Sequence, residues 1–245
     1  MLKFLETKSS TLTENVFLNK FTGKKILVMG SGPSVNDVNW EKLDYDYIVT
    51  TTFFYLNDKI RNLKNITHIT LSEIIDFNHP NLIEFLEKNP DCTIALEPKP
   101  GRPFYYNDIW KKFEEKYKER IIMYNTQIDK KEGAAGRLAF FVIAFNPSDL
   151  YYVGIDGYSE NLDKQPKNSF RKEFSLDADG YLKQGRRKEF VDSHIGMAKT
   201  LHEYSKLNKT KIYNLGEGFH YNCSTSYSKE HFPLPTHIKQ TLKNK

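Results

Sequence analysis

Seven short apolar runs, continuous rather than strictly alternating with polar residues, restrict the fold of this chain more than any other feature. They fall at 25–29, 47–51, 68–71, 93–96, 121–124, 150–155 and 211–215. A strand with one wet face alternates, whereas a strand covered on both faces does not. The stretches between them carry helical spacing. Leu82, Phe85 and Leu86 share one side of 81–88, and Ile109, Trp110, Phe113 and Tyr117 punctuate the Lys/Glu-rich 108–118. Residues 134–145 are apolar nearly all round, as a buried helix would be, and 195–207 repeat Met197, Ala198, Leu201, Tyr204 and Ser205 at helical intervals. Strands alternating with helices give an α/β domain with a doubly wound, mostly parallel sheet of Rossmann-like type. Ligands of such sheets sit outside the carboxyl ends of the strands, so the residues just after each run are the ones to inspect.

Two stretches stand outside the alternation. Residues 1–22 precede the first strand and read as an N-terminal extension, with one domain over 23–245. Residues 157–190 lack an apolar period. Their 164–190 portion holds eight Lys/Arg against four Asp/Glu, which accounts for most of the net charge of +5. A long basic insertion inside a compact domain reads as a lid or binding loop.

Composition narrows the function classes. At 39% hydrophobic and 27% charged, the 245 residues are neither low-complexity nor disordered in type. The mild positive charge favours anionic partners weakly and does not mark a nucleic-acid binder, so none is expected. Two distant cysteines, Cys92 and Cys223, supply neither zinc spacing nor a disulfide framework, which suits a reducing compartment. With no signal-peptide core and no apolar run long enough to span a bilayer, the expected location is cytoplasmic.

Five groups carry chemistry. Gly30-Ser31-Gly32-Pro33-Ser34 follows the first strand, where glycines permit a tight turn and backbone N–H groups can approach a phosphate; an ordinary strand-to-helix turn is the alternative. Gly133-Ala134-Ala135-Gly136 opens the apolar helix, either to admit a phosphate or to pack closely. Just upstream, Asn125-Thr126-Gln127 offers amides to a base or sugar. Val153-Gly154-Ile155-Asp156-Gly157-Tyr158 ends the sixth run and places Asp156 and Tyr158 at its carboxyl edge. His194, expected to open the helix after the basic insertion, is the candidate general base, with His202 as the fallback. Asp177-Ala178-Asp179 has the form of a metal-binding pair but sits before Gly180 and reads better as a hairpin turn; no metal site is expected.

In this order the motifs resemble the family-42 bacterial sialyltransferases. The resemblance rests on Gly30-Ser31-Gly32-Pro33-Ser34, Phe54-Tyr55 with Asp58-Lys59, Asn125 with Gln127, Gly154-Ile155-Asp156-Gly157-Tyr158, a helix with a preceding His, and Lys209-Thr210-Lys211-Ile212-Tyr213, spanning about residues 24–215. The wider superfamily includes motility accessory factors and archaeal 6-hydroxymethylpterin diphosphokinases. Asp179-Gly180-Tyr181 and Asn214-Leu215-Gly216-Glu217-Gly218 look more like those relatives.

The resemblance implies a glycosyltransferase that takes a CMP-sugar as donor and a surface glycan as acceptor, without a metal cofactor. It assigns His194 as base and Tyr158 as a contact to the leaving phosphate. Gly30, Ser31, Gly32, Pro33 and Ser34 would hold the nucleotide, and Thr52, Asn125, Gly136, Asp156 and Gly157 would line the donor site. Where the sialyltransferases carry Asn and Ser, this chain has Thr52 and Ala135, so another CMP-sugar or another sugar nucleotide fits equally. The resemblance also allows peripheral association with the inner membrane face and a homo-oligomer. The alternatives are an ATP- and Mg²⁺-dependent pterin-type diphosphokinase and a non-catalytic nucleotide- or glycan-binding module.

Overall fold

Side chains of successive strand residues point to opposite faces, so a run buried throughout must feed two cores. Leu27, Ile48, Ile94, Ile121 and Tyr151 do enter one apolar cluster. Their sequence neighbours Ile26, Val49, Ala95, Ile122 and Tyr152 enter another. The computed structural model describes residues 2–4, 20–71, 76–96, 107–126, 134–156, 187–216 and 235–243.

The strands are β1 (Leu2–Phe4), β2 (Lys25–Met29), β3 (Tyr47–Thr51), β4 (Ile66–Leu71), β5 (Thr93–Leu96), β6 (Ile121–Thr126), β7 (Asp149–Val153) and β8 (Lys211–Asn214). They form one sheet in the order β1-β6-β5-β4-β3-β2-β7-β8. The seven strands from β2 to β8 run parallel. These are the seven strands read from the apolar runs, and the doubly wound α/β architecture is as expected.

β1 is the addition. It pairs antiparallel with β6, Lys3 opposite Asn125, so three residues of the 1–22 stretch join the sheet. Phe21, from the end of the same stretch, is fully buried among the β-face residues of the second cluster.

The helices are α1 (Ser34–Asp37), α2 (Asp58–Arg61), α3 (Pro80–Lys88), α4 (Asp108–Tyr117), α5 (Ala134–Ile143), α6 (Arg187–Leu207) and α7 (Thr236–Lys243). Leu82, Phe85 and Leu86 of α3, Trp110, Phe113 and Tyr117 of α4, and Ile238 of α7 cover the first face. Leu138, Phe141 and Val142 of α5 with Met197 and Leu201 of α6 cover the second. The helix starts are written in the sequence. Asn107 Oδ1 accepts the Trp110 N–H at 2.7 Å, and His79 caps α3 just before Pro80. The Arg120 guanidinium donates to the carbonyls of Leu86, Asn89 and Cys92 at 2.8–2.9 Å, fastening the end of α3 to the start of β5. Among the described residues, no helix is long and apolar enough to cross a membrane.

α6 starts earlier than its spacing suggested. Helix is continuous from Arg187, so 187–190, assigned to the lid, are its first turn and residue 194 lies two turns inside it.

Candidate functional site at the sheet switch point

The chain winds from β2 outward through β3, β4, β5 and β6, then returns to place β7 on the other side of β2. Neighbouring crossovers therefore diverge at the carboxyl ends of β2 and β7, the switch point at which ligands of such sheets bind. Two of the sequence-derived groups, 30–34 and 153–156, meet at this point.

Their geometry differs from the expected phosphate loop. The β2–β7 pairing continues beyond both strands: Gly30 N–H donates to Val153 O at 2.8 Å and Gly32 N–H to Gly154 O at 2.8 Å. The next alternate N–H, that of Ser34, donates to Asp156 Oδ2 at 3.0 Å. The backbone donors of Gly30, Gly32 and Ser34 are thus committed inside the protein rather than offered to an anion.

The glycines are explained by the same close approach. Gly154 has φ +72°, and a Cβ there would lie 2.5 Å from Gly30 O and 2.6 Å from Val35 Cγ2. A Cβ on Gly30 would run into Gly154 O, and one on Gly32 into the Asp156 carboxylate. What the turn shows to solvent is Ser31, Gly32 and Pro33, each half-buried, while Ser34 is fully buried.

A third turn joins them. Asn214 closes β8, its Oδ1 accepting the Gly216 N–H at 2.9 Å. A Cβ on Gly216 would lie 2.9 Å from Asp156 Oδ1 and 3.1 Å from Ser34 Oγ. Asp156, 4% exposed, is therefore surrounded by the turns after β2, β7 and β8. Burial pushes its carboxyl above the usual range, against the downward pull of hydrogen bonds from the Ser34 hydroxyl and backbone. In the sequence, Asn214 and Gly216 stand out only through the resemblance. A glycine within three residues of the end of a buried strand, as in the other two turns, was the available signal.

On the β3 side, Thr52 is buried and its N–H donates to Thr70 O at 2.9 Å. The next residue, Phe53, has φ +68°, a left-handed backbone in which a bulky side chain is strained. Phe54 and Tyr55 are core residues, with Phe54 stacked edge-on to Phe85 at 4.7 Å.

The remaining expected residues fall less neatly. Ala135 at the start of α5 borders the switch point, since a Cβ on Gly30 would lie 2.9 Å from Ala135 Cβ. Gly136, by contrast, faces Met197 of α6, whose sulfur occupies the place of a Cβ, so helix packing accounts for it. Asn125 is carried by β6, four strand positions from β2, or about 19 Å at the usual spacing. Gly157, Tyr158, Gln127, Gly133, Asp177, Asp179, Tyr181 and the lid up to 186 lie outside the described residues, as do the side chains of Asn125 and His194.

Two other reactive residue types are buried away from this edge. His68 is stacked on Phe141 at 4.6 Å, and burial pulls its imidazole down to about 3. Burial pushes the Cys92 thiol up to about 12, leaving it protonated. Among the described residues, no three His, Cys, Asp or Glu side chains are grouped to hold a metal ion.

No protein-family model matches this chain, and no curated protein matches it by sequence. Solved structures do. The monofunctional α-2,3-sialyltransferase Cst-I of Campylobacter jejuni aligns with TM-score 0.56 at 15% identity, covering 96% of this chain and 86% of its own. The sialyltransferase CstII of the same organism, solved with the substrate analogue CMP-3FNeuAc, aligns with TM-score 0.54 at 15% identity over 83% and 85% of the two chains. CstII with a trisaccharide acceptor and CMP gives TM-score 0.50 at 16% identity over 79% and 81%. The chain thus has a sialyltransferase-like α/β fold.

Proposed function

We propose that this chain is a glycosyltransferase moving a sugar from a nucleotide donor, a CMP-sugar, to a hydroxyl of a surface glycan. The observation that carries this reading is the junction of the turns after β2, β7 and β8 at the switch point, in a fold like that of enzymes solved with CMP-containing ligands. The half-buried Ser31–Pro33 face would meet the nucleotide, beside Thr52. Reaction would be a single displacement. The acceptor oxygen bonds to the anomeric carbon while the bond from that carbon to the phosphate oxygen breaks. The acceptor proton passes to His194, and the electron pair leaves with CMP. Because the Gly30, Gly32 and Ser34 N–H groups are engaged internally, charge on the departing phosphate falls to Tyr158, the Ser31 hydroxyl and the cations of the lid. Lid closure would exclude water and so limit donor hydrolysis.

The test is donor turnover with CMP-sugars in EDTA, beside ATP and a hydroxymethylpterin with Mg²⁺. CMP release that needs acceptor and survives EDTA supports the transferase. Turnover confined to ATP with Mg²⁺ identifies the diphosphokinase, and binding without turnover an accessory module. Within a transferase, His194→Ala should lower kcat by roughly 10²–10⁴ with donor binding intact, the usual scale of general-base catalysis. Loss in His202→Ala instead would move the base by two turns of α6.

A further inference from the structure

We propose that Asp156 is a positioning residue: its buried carboxylate holds the turns after β2, β7 and β8 in one arrangement, presenting Ser31–Pro33 to the ligand as a preset surface. The proposal rests on the nucleotide reading above and gives that site its means of preorganisation.

Both carboxylate oxygens face protein. Oδ2 accepts the Ser34 N–H at 3.0 Å and abuts Gly32, while Oδ1 abuts Gly216 on the opposite turn. The Ser34 hydroxyl accepts the Gly154 N–H at 2.7 Å and donates a hydrogen bond to Asp156. One side chain from the turn after β7 thereby fixes a backbone N–H of the β2 turn, a hydroxyl that holds its own turn, and the packing of the β8 turn. At 4% exposure the carboxylate has little surface left for a base or sugar. Its effect on a ligand must pass through the turns it holds. Binding to a preset surface avoids the ordering cost of mobile loops, so loosening this junction weakens every ligand of the site alike.

The experiment titrates CMP, UMP, GMP and AMP calorimetrically into wild type, Asp156→Asn, Asp156→Ala, Ser34→Ala and Gly216→Ala. Amide exchange at Ser34 and Gly154 is measured in the same proteins without nucleotide. Asp156→Ala and Gly216→Ala should weaken all four nucleotides by a common factor of about 10–100, with the order of preference unchanged. Gly216→Ala is the sharper probe, because its new Cβ meets Asp156 Oδ1 and displaces the carboxylate without removing it. Asp156→Asn keeps an oxygen for the Ser34 N–H and should stay within about threefold of wild type. Exchange at Ser34 and Gly154 should rise in Asp156→Ala and Gly216→Ala. Should Asp156→Ala fail to fold, Gly216→Ala and Ser34→Ala carry the comparison. A change in base preference with unchanged exchange would make Asp156 a ligand contact and overturn the proposal, as would unaltered affinity in both Asp156→Ala and Gly216→Ala. If wild type binds no nucleotide while exchange rises as stated, the positioning role stands and the nucleotide reading fails.

Discussion

At the residue scale, glycines and buried polar groups divide the labour. Gly32 looked like a position kept bare for a phosphate, but its missing side chain makes room for the Asp156 carboxylate. Gly32→Val should therefore cost stability as well as nucleotide affinity, by about 1–3 kcal/mol of overpacking strain. Chemical denaturation beside calorimetry would show both losses; affinity lost at unchanged stability would return the glycine to the ligand. His68 supplies the pH dependence. Its imidazole is held at about 3 in the fold, below the ordinary 6.5, by burial first and Lys20 second. A base whose pKa is lowered by folding stabilises the native state fully above pH 6.5, and that contribution is lost as pH falls from 6.5 toward 3. By pH 5 the loss is about 2 kcal/mol. Urea midpoints at pH 7.5 and 5 should draw closer together in His68→Leu than in wild type, and equal acid sensitivity in the two proteins would refute the assignment.

At the scale of elements, the parallel strands were legible because burial on both faces writes itself as an unbroken apolar run. β1 was not, since Leu2–Phe4 gain strand structure only from the free edge of β6, a partner more than a hundred residues away. The start of α6 is hidden in the sequence for a related reason: its first two turns, 187–193, are mostly polar or charged and so carry no apolar period. Gly136 illustrates how one short motif supports two readings that only a neighbouring element separates. Because Met197 fills the space beside it, Gly136→Ala should destabilise the protein by about 1–2 kcal/mol, and Met197→Ala should relieve part of that cost. CMP affinity should stay at the wild-type value in Gly136→Ala. A selective loss of affinity with full stability would place a ligand at the start of α5.

At the scale of the whole molecule, the site follows from topology. Gly30-Ser31-Gly32-Pro33-Ser34 and Gly154-Ile155-Asp156 are more than 110 residues apart in sequence, yet the order β3-β2-β7-β8 makes them neighbours. The sequence marked both as strand-end turns but could not reveal that their backbones bond to each other, which changes what they can offer a ligand. Asn214 and Gly216 stand out in the sequence only through the resemblance, because the importance of the β8 turn depends on β8 lying next to β7. The central claim is that a nucleotide donor binds at this junction. Hydrogen–deuterium exchange with and without saturating CMP tests it most directly. The account predicts slowed exchange concentrated in peptides covering 30–35, 52–54 and 153–158. Protection confined to other segments, or none at a CMP concentration shown calorimetrically to saturate the protein, would contradict it.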